Sequence, residues 1–153
     1  LRGIAKFFAA PGLRLGYAIS GNKDLISQIN TRKNPWTINS LAEVAGQLMF
    51  LDKEYIQQTK ALIHAERSRI LSRLQSIDSI KVYVPVANFV LIRILSDSIN
   101  ADTVFETAIR QKMMIRNCNT FPFLDNQYFR FCFMSPEDND RLLACLEELF
   151  CRC

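Results

Sequence analysis

Lys6 and Arg14 stand eight residues apart around Pro11-Gly12, with Phe7 and Phe8 beside the lysine. Apolar surroundings disfavour an ammonium ion, so a lysine held there loses proton affinity and its free amine becomes a nucleophile toward an aldehyde. An arginine presents a planar fork of N–H donors that clamps a phosphate through paired hydrogen bonds. A ligand carrying both an aldehyde and a phosphate would engage the two side chains together. Read without such a ligand, they are solvated surface charges.

A second pair of basic residues stands in the last third of the chain. Over residues 128–134 the alternation puts Phe129, Phe131 and Phe133 on one sheet face and Tyr128, Arg130, Cys132 and Met134 on the other. Arg130 is then a lone charge in an apolar strand and calls for an anionic partner, either a ligand or a protein carboxylate buried with it. Arg116, after Met113-Met114-Ile115, is either a second anion ligand or a solvated strand end. His64 lies beside Ile63 on a helix and reads as a surface or boundary residue. The five cysteines, Cys118, Cys132, Cys145, Cys151 and Cys153, lack the paired spacing of a zinc site or a disulfide framework. Reduced thiols in a cytoplasmic protein are expected, with Cys145 in the core, Cys151-Arg152-Cys153 at a frayed end, and no metal.

Turn signals and periodicity define the elements that must hold these residues. Pro11-Gly12 and Gly21-Asn22 bracket residues 13–20, which read as a strand. Asn22 then caps a helix carrying Leu25, Ile26 and Ile29, which Pro35 ends by turning Asn34 away from helical dihedrals. A helix from about Ser40 to Leu51 carries Leu41, Val44, Ala45, Leu48 and Met49 on one face. Ile56, Ile63, Ile70 and Ile77 recur every seven residues and predict a long helix over roughly residues 53–76. Residues 80–84 and 87–94, rich in β-branched side chains and parted by Pro85, predict two closely joined strands. Asn100 starts a helix ending near Lys112, residues 113–115 form a short strand, and Ser135-Pro136-Glu137-Asp138 opens a last helix to about Phe150.

With 153 residues, 49% of them hydrophobic and 22% charged, the composition is that of an ordinary globular chain rather than a disordered, collagenous or coiled-coil one. The net charge of +4 is scattered, without the basic run of a nucleic-acid tail. No apolar stretch approaches the roughly twenty residues of a membrane span. The β-β-α-β-β-α order from Ile80 onward describes a compact α/β unit. The first fifty residues hold too few elements for a sheet of their own and are expected to belong to a larger domain, the chain lacking the part before Leu1.

Pyridoxal phosphate offers an aldehyde and a phosphate on one molecule. The string Ala5-Lys6-Phe7-Phe8-Ala9-Ala10-Pro11-Gly12-Leu13-Arg14-Leu15-Gly16-Tyr17 resembles the active-site lysine segment of fold-type I pyridoxal-phosphate enzymes of the class I/II aminotransferase superfamily. The likeness continues colinearly through Pro35-Trp36-Thr37-Ile38-Asn39, Ala87-Asn88-Phe89, Ile115-Arg116 and Tyr128-Phe129-Arg130. It implies an α/β fragment of that fold, residues 1–50 being the end of the large cofactor-binding domain and 51–153 the small C-terminal domain. It also implies that Lys6 takes the cofactor aldehyde covalently, that Arg14 binds the cofactor phosphate, and that Arg116 and Arg130 face the substrate anions. Trp36 would lie beside the active site or anchor a domain junction; Asn39 would face the ligand or cap a helix. The hydroxyl residues that the family places one and three positions before its lysine are Ala5 and Gly3 here, so two phosphate hydrogen bonds are missing.

Within the superfamily, Pro35-Trp36-Thr37-Ile38-Asn39 and residues 116–130 resemble threonine-phosphate decarboxylases more than histidinol-phosphate aminotransferases. The resemblance implies a homodimer acting on a small phosphorylated amino acid, with no nucleic-acid or membrane partner. Since the family's remaining cofactor ligands precede its lysine, a catalytically inactive fragment or degenerate homologue acting only in subunit contacts is the alternative from a different class.

Overall fold

The computed structural model describes residues 1–151, and the chain divides into two compact units, Leu1–Thr59 and Lys60–Cys153. In the first, β1 (Arg2–Gly3) pairs antiparallel with β2 (Gly16–Tyr17). Gly16 permits this pairing, since a Cβ there would sit 2.8 Å from the Arg2 carbonyl oxygen. Between the strands lie a single helical turn, α1 (Ile4–Phe7), and a 3₁₀ turn over Pro11–Leu13. The strand expected over residues 13–20 is therefore reduced to two residues. Leu13 belongs to the 3₁₀ turn and Arg14 adopts left-handed backbone at φ 53°, so extended structure begins only after them.

Helix α2 (Lys23–Arg32) is capped as expected, with Leu25 N–H donating to Asn22 Oδ1 at 3.0 Å. It stops at Lys33, just before Asn34-Pro35. Helix α3 (Ser40–Leu51) departs from its expected packing, burying Ala42 and Gly46 and leaving Leu41, Val44 and Leu48 exposed. Close approach decides this. A Cβ on Gly46 would lie 2.7 Å from Leu15 Cδ2, so the helix turns its small side chains toward that loop.

Helix α4 (Lys53–Leu74) begins in the first unit and ends in the second. Ile70 and Leu74 are fully buried and Ile63 and Ile77 partly so, while His64 is exposed. The second unit pairs β3 (Ile80–Tyr83), β4 (Phe89–Ile94), β5 (Arg116–Asn117) and β6 (Tyr128–Cys132) in the spatial order β3-β4-β6-β5, antiparallel throughout. Val90, Ile92, Ile94, Phe129 and Phe131 turn inward from alternate positions and meet α4, α5 (Ala101–Arg110) and α6 (Pro136–Cys151) in one hydrophobic core. Helix α5 stops short of Lys112, whose φ of 61° ends the helical path, and residues 113–115 form no strand. The strand expected there begins one residue later, at Arg116, where β6 offers a partner.

Ser135 caps α6 reciprocally, accepting from Asp138 N–H at 3.2 Å and donating to Asp138 Oδ2 at 2.9 Å. Beneath that cap, Asn139 Nδ2 donates to the buried Glu66 carboxylate at 2.6 Å and to the Met134 carbonyl at 3.0 Å, and Asn139 Oδ1 accepts from Met134 N–H. Arg69 hydrogen-bonds Glu66 and holds its carboxyl below the ordinary range against the opposing effect of burial. Arg69 also pairs with Asp140, and Arg73 joins Asp140 to Glu147, so α4 and α6 are tied along one side. Cys118 and Cys145 are buried free thiols, and Cys132 and Cys151 exposed ones. Cys153, with the rest of the expected Cys-Arg-Cys end after Cys151, lies outside the described residues. No helix among the described residues is long and apolar enough to cross a membrane.

Candidate active site

Four candidate residues lie in the first unit. Lys6 is exposed on α1, and the residues that follow it are held by aromatic packing: Phe8 stacks on Tyr55 at 5.5 Å, Phe7 meets Phe8 edge-on at 5.0 Å, and Tyr55 OH donates to the Phe7 carbonyl at 3.0 Å. The backbone leaving Lys6 is thus fixed although its amine reaches solvent. Arg14 is exposed at a left-handed position and donates to the Pro11 carbonyl at 3.5 Å. Neither Lys6 nor Arg14 joins an ion pair among the described residues.

Asn39 acts as the cap of α3, accepting from Ala42 N–H at 2.8 Å, and its amide nitrogen donates to the Leu13 carbonyl at 3.4 Å. One side chain thereby ties the start of α3 to the residue before Arg14. Trp36 is 96% exposed with φ 62°, a left-handed backbone unusual for a bulky residue. Gly3, at the N-cap of α1, has no side chain to bond the first turn, and a Cβ built there would meet nothing within 4 Å.

The second unit brings Arg116 and Arg130 together. They are direct cross-strand partners in the β5–β6 ladder, an arrangement of like charges that costs stability. No carboxylate lies within ion-pair distance of either among the described residues, so the buried ion pair considered for Arg130 is absent. Aromatic faces take its place. The Arg130 guanidinium lies over Phe89 at 4.9 Å and Phe121 at 5.2 Å, and Arg116 lies over Phe121 at 5.5 Å while donating to Thr120 Oγ1 at 3.2 Å. Both arginines line a cavity of about 880 Å³ together with Lys112, Thr120 and Arg141 and with two carboxylates, Asp102, which is bonded to Asn117 and Asn126, and Asp138, which pairs with Arg141. Burial pushes the nearby Cys118 thiol up, and the charges of Arg130 and Arg116 oppose that shift.

Phe89, Thr120 and Phe121 carry no role in the sequence reading, yet they surround the arginines. A signal for one was present. Leu91 pairs with Arg130 in the β4–β6 register, which puts Phe89 diagonally beside Arg130 on the same sheet face. Phe121 comes from a loop, where periodicity carries no information.

Residues 1–146 match the family described as aminotransferase class I and II. The threonine-phosphate decarboxylase of Salmonella typhimurium is 32% identical over 149 residues, 97% of this chain and 40% of that protein. The histidinol-phosphate aminotransferase of Desulfitobacterium hafniense is 33% identical over 150 residues, again 97% of this chain and 40% of the relative. Among solved structures, the histidinol-phosphate aminotransferase from Clostridium acetobutylicum superposes with a TM-score of 0.90 at 34% identity, covering 99% of this chain and 45% of that one. The L-threonine-O-3-phosphate decarboxylase from Porphyromonas gingivalis has the same fold, with a TM-score of 0.82 over 95% of this chain. The chain spans about 40% of the length of the curated relatives it matches. Pyridoxal 5'-phosphate is the cofactor of this family. A match over residues 1–146, carrying the lysine turn and the arginine ladder alike, establishes that the chain belongs to the class I and II aminotransferase family and covers part of its α/β fold.

Proposed function

We propose that the protein to which this chain belongs decarboxylates L-threonine O-3-phosphate to aminopropanol phosphate, a step of cobalamin synthesis, with pyridoxal 5'-phosphate as cofactor. The pairing of Arg116 with Arg130 carries the reading of an anionic substrate: two guanidiniums face each other across a ladder, and among the described residues no carboxylate lies within ion-pair distance of either. Such a site demands anionic charge from its ligand. Threonine phosphate brings a carboxylate and a phosphate on one molecule; a histidinol-phosphate aminotransferase also presents anions, a phosphate on one substrate and two carboxylates on 2-oxoglutarate, so the arginines support an anionic substrate in either reading. The likeness of residues 35–39 and 116–130 to the decarboxylases is what favours decarboxylation. The TM-score of 0.90 to a histidinol-phosphate aminotransferase favours transamination as the second reading.

Lys6 and Arg14 fit the cofactor by the chemistry of their donors, an exposed amine and an exposed guanidinium with no ion-pair partner among the described residues. In this reading Lys6 would hold the aldehyde carbon and Arg14 the phosphate, and backbone N–H groups would replace part of what hydroxyls at Gly3 and Ala5 would add. Bound there, the cofactor would supply an electron sink for the bond broken at the substrate Cα. Arg116 and Arg130 would hold the substrate's carboxylate and phosphate between them and so fix its orientation. Trp36 and Asn39 belong to the substrate side, Asn39 also steadying the loop before Arg14. Residues 1–50 then complete a large cofactor-binding domain and residues 51–153 form the small one, in a cytoplasmic homodimer.

The test is a parallel assay of the whole protein with threonine O-3-phosphate alone, and with histidinol phosphate plus 2-oxoglutarate. Carbon dioxide and aminopropanol phosphate formed without a keto acid are the expected products. Turnover that depends on 2-oxoglutarate and releases no carbon dioxide would overturn the proposal.

A further inference from the structure

We propose that Phe121 is a positioning residue, the shared aromatic platform that holds Arg116 and Arg130 side by side as one receptor for a dianion. The inference rests on the reading of these arginines as substrate-anion ligands and names what keeps them in place. Directly opposed on β5 and β6, the two guanidiniums repel, and long side chains of like charge on neighbouring strands splay into solvent unless something draws them together. The negative face of an aromatic ring attracts a guanidinium, and the Phe121 ring has Arg116 at 5.5 Å and Arg130 at 5.2 Å from its centroid. Arg130 is held further by Phe89 at 4.9 Å, so it contacts two rings while Arg116 has one ring and the Thr120 hydroxyl.

This mode of holding suits a binding site because a ring engages the flat face of a guanidinium and leaves its N–H edge for an oxyanion. A carboxylate partner would occupy that edge instead. Phe121 is itself anchored. Its N–H donates to the Cys118 carbonyl at 2.9 Å, and its carbonyl accepts from Leu124 N–H at 3.2 Å. Both ends of the loop are fastened to Asp102 at the start of α5, whose carboxylate accepts from Asn117 Nδ2 and Asn126 Nδ2 at 2.6 Å each. Ala101 N–H adds a bond to the Asn126 carbonyl at 2.7 Å.

The experiment measures inorganic phosphate binding to the cofactor-loaded whole protein by titration calorimetry, with the KM and kcat for threonine O-3-phosphate measured beside it. Phe121→Leu and Phe121→Met keep apolar bulk and remove the ring; Phe121→Tyr and Phe121→Trp keep a ring. The expected result is at least tenfold weaker phosphate binding and a raised KM in the Leu and Met variants, and values within threefold of the parent for Tyr or Trp, with unfolding midpoints of the four variants alike. Phe89→Leu, which touches only Arg130, should weaken binding less than Phe121→Leu. A residue serving only to fill space would show equal effects for Leu, Met and Tyr, and that outcome overturns the proposal. Arg116→Lys and Arg130→Lys separate the two levels. If they bind phosphate like the parent, the anion reading itself is wrong; if they lose it while Phe121→Leu and Phe121→Met do not, only the role of Phe121 is.

Discussion

Arg116 and Arg130 are paired directly across the β5–β6 ladder, two positive charges opposed with an aromatic ring, Phe121, beneath both. Arg116→Ala removes a like-charge cross-strand pair together with the contacts of Arg116 to Phe121 and Thr120, opposing effects of similar size, so its unfolding midpoint should stay close to the parent's. Added phosphate should stabilise the parent protein and not this variant, by ligand linkage. Thermal melts with and without phosphate check both statements.

Asn139 joins Met134, two residues past β6, to the buried carboxylate of Glu66, which is 5% exposed. Asn139→Ala leaves that carboxylate and the Met134 N–H without this partner and should cost about 1–3 kcal/mol. Urea denaturation measures the loss.

The same carboxylate makes stability pH-dependent. Arg69 holds the Glu66 pKa below its ordinary value in the folded chain, so the fold is favoured above the unfolded value of roughly 4.3 and loses that contribution as the pH falls through the lower folded value. Glu66→Gln should flatten the acid limb of a stability profile below about pH 4. A limb as steep as the parent's would assign the acid sensitivity to other carboxylates.

Elements whose signals are local were legible in the sequence. Asn22, Asn39 and Asn100 cap their helices, the strands at 80–83 and 89–94 form where β-branched residues cluster, and the inward turn of Phe129, Phe131 and Phe133 follows from alternation. Where a side chain packs against a glycine or a residue turns left-handed, periodicity misled. The Leu41, Val44 and Leu48 stripe of α3 faces solvent because Gly46 admits Leu15 on the opposite side, and Arg14 breaks the strand expected around it. Arg116 and Arg130 were identifiable as charges in need of partners. Their aromatic seats were not, because cross-strand register and a loop bring Phe89 and Phe121 to them.

Gly3 and Ala5 stand where the family resemblance places phosphate-binding hydroxyls. Gly3→Ser fits without strain, since its Cβ meets nothing within 4 Å and serine is a favoured N-cap for α1. In the whole protein, Gly3→Ser and Ala5→Thr should each tighten cofactor binding by on the order of 1 kcal/mol. Equilibrium dialysis against pyridoxal phosphate reads the change, and unchanged affinity in both would mean that backbone donors already saturate the phosphate.

Lys6 carries the account, because every proposed role of Arg14, Arg116 and Arg130 presupposes a cofactor held at that amine. Borohydride reduction of the whole protein loaded with pyridoxal phosphate fixes the cofactor to the lysine that binds it, and proteolysis with mass spectrometry locates the bond. The label is expected on Lys6, in the peptide containing Phe7 and Phe8, and should be lost in Lys6→Ala. A label on Lys23, Lys33 or any other lysine, with Lys6 unmodified, would contradict it.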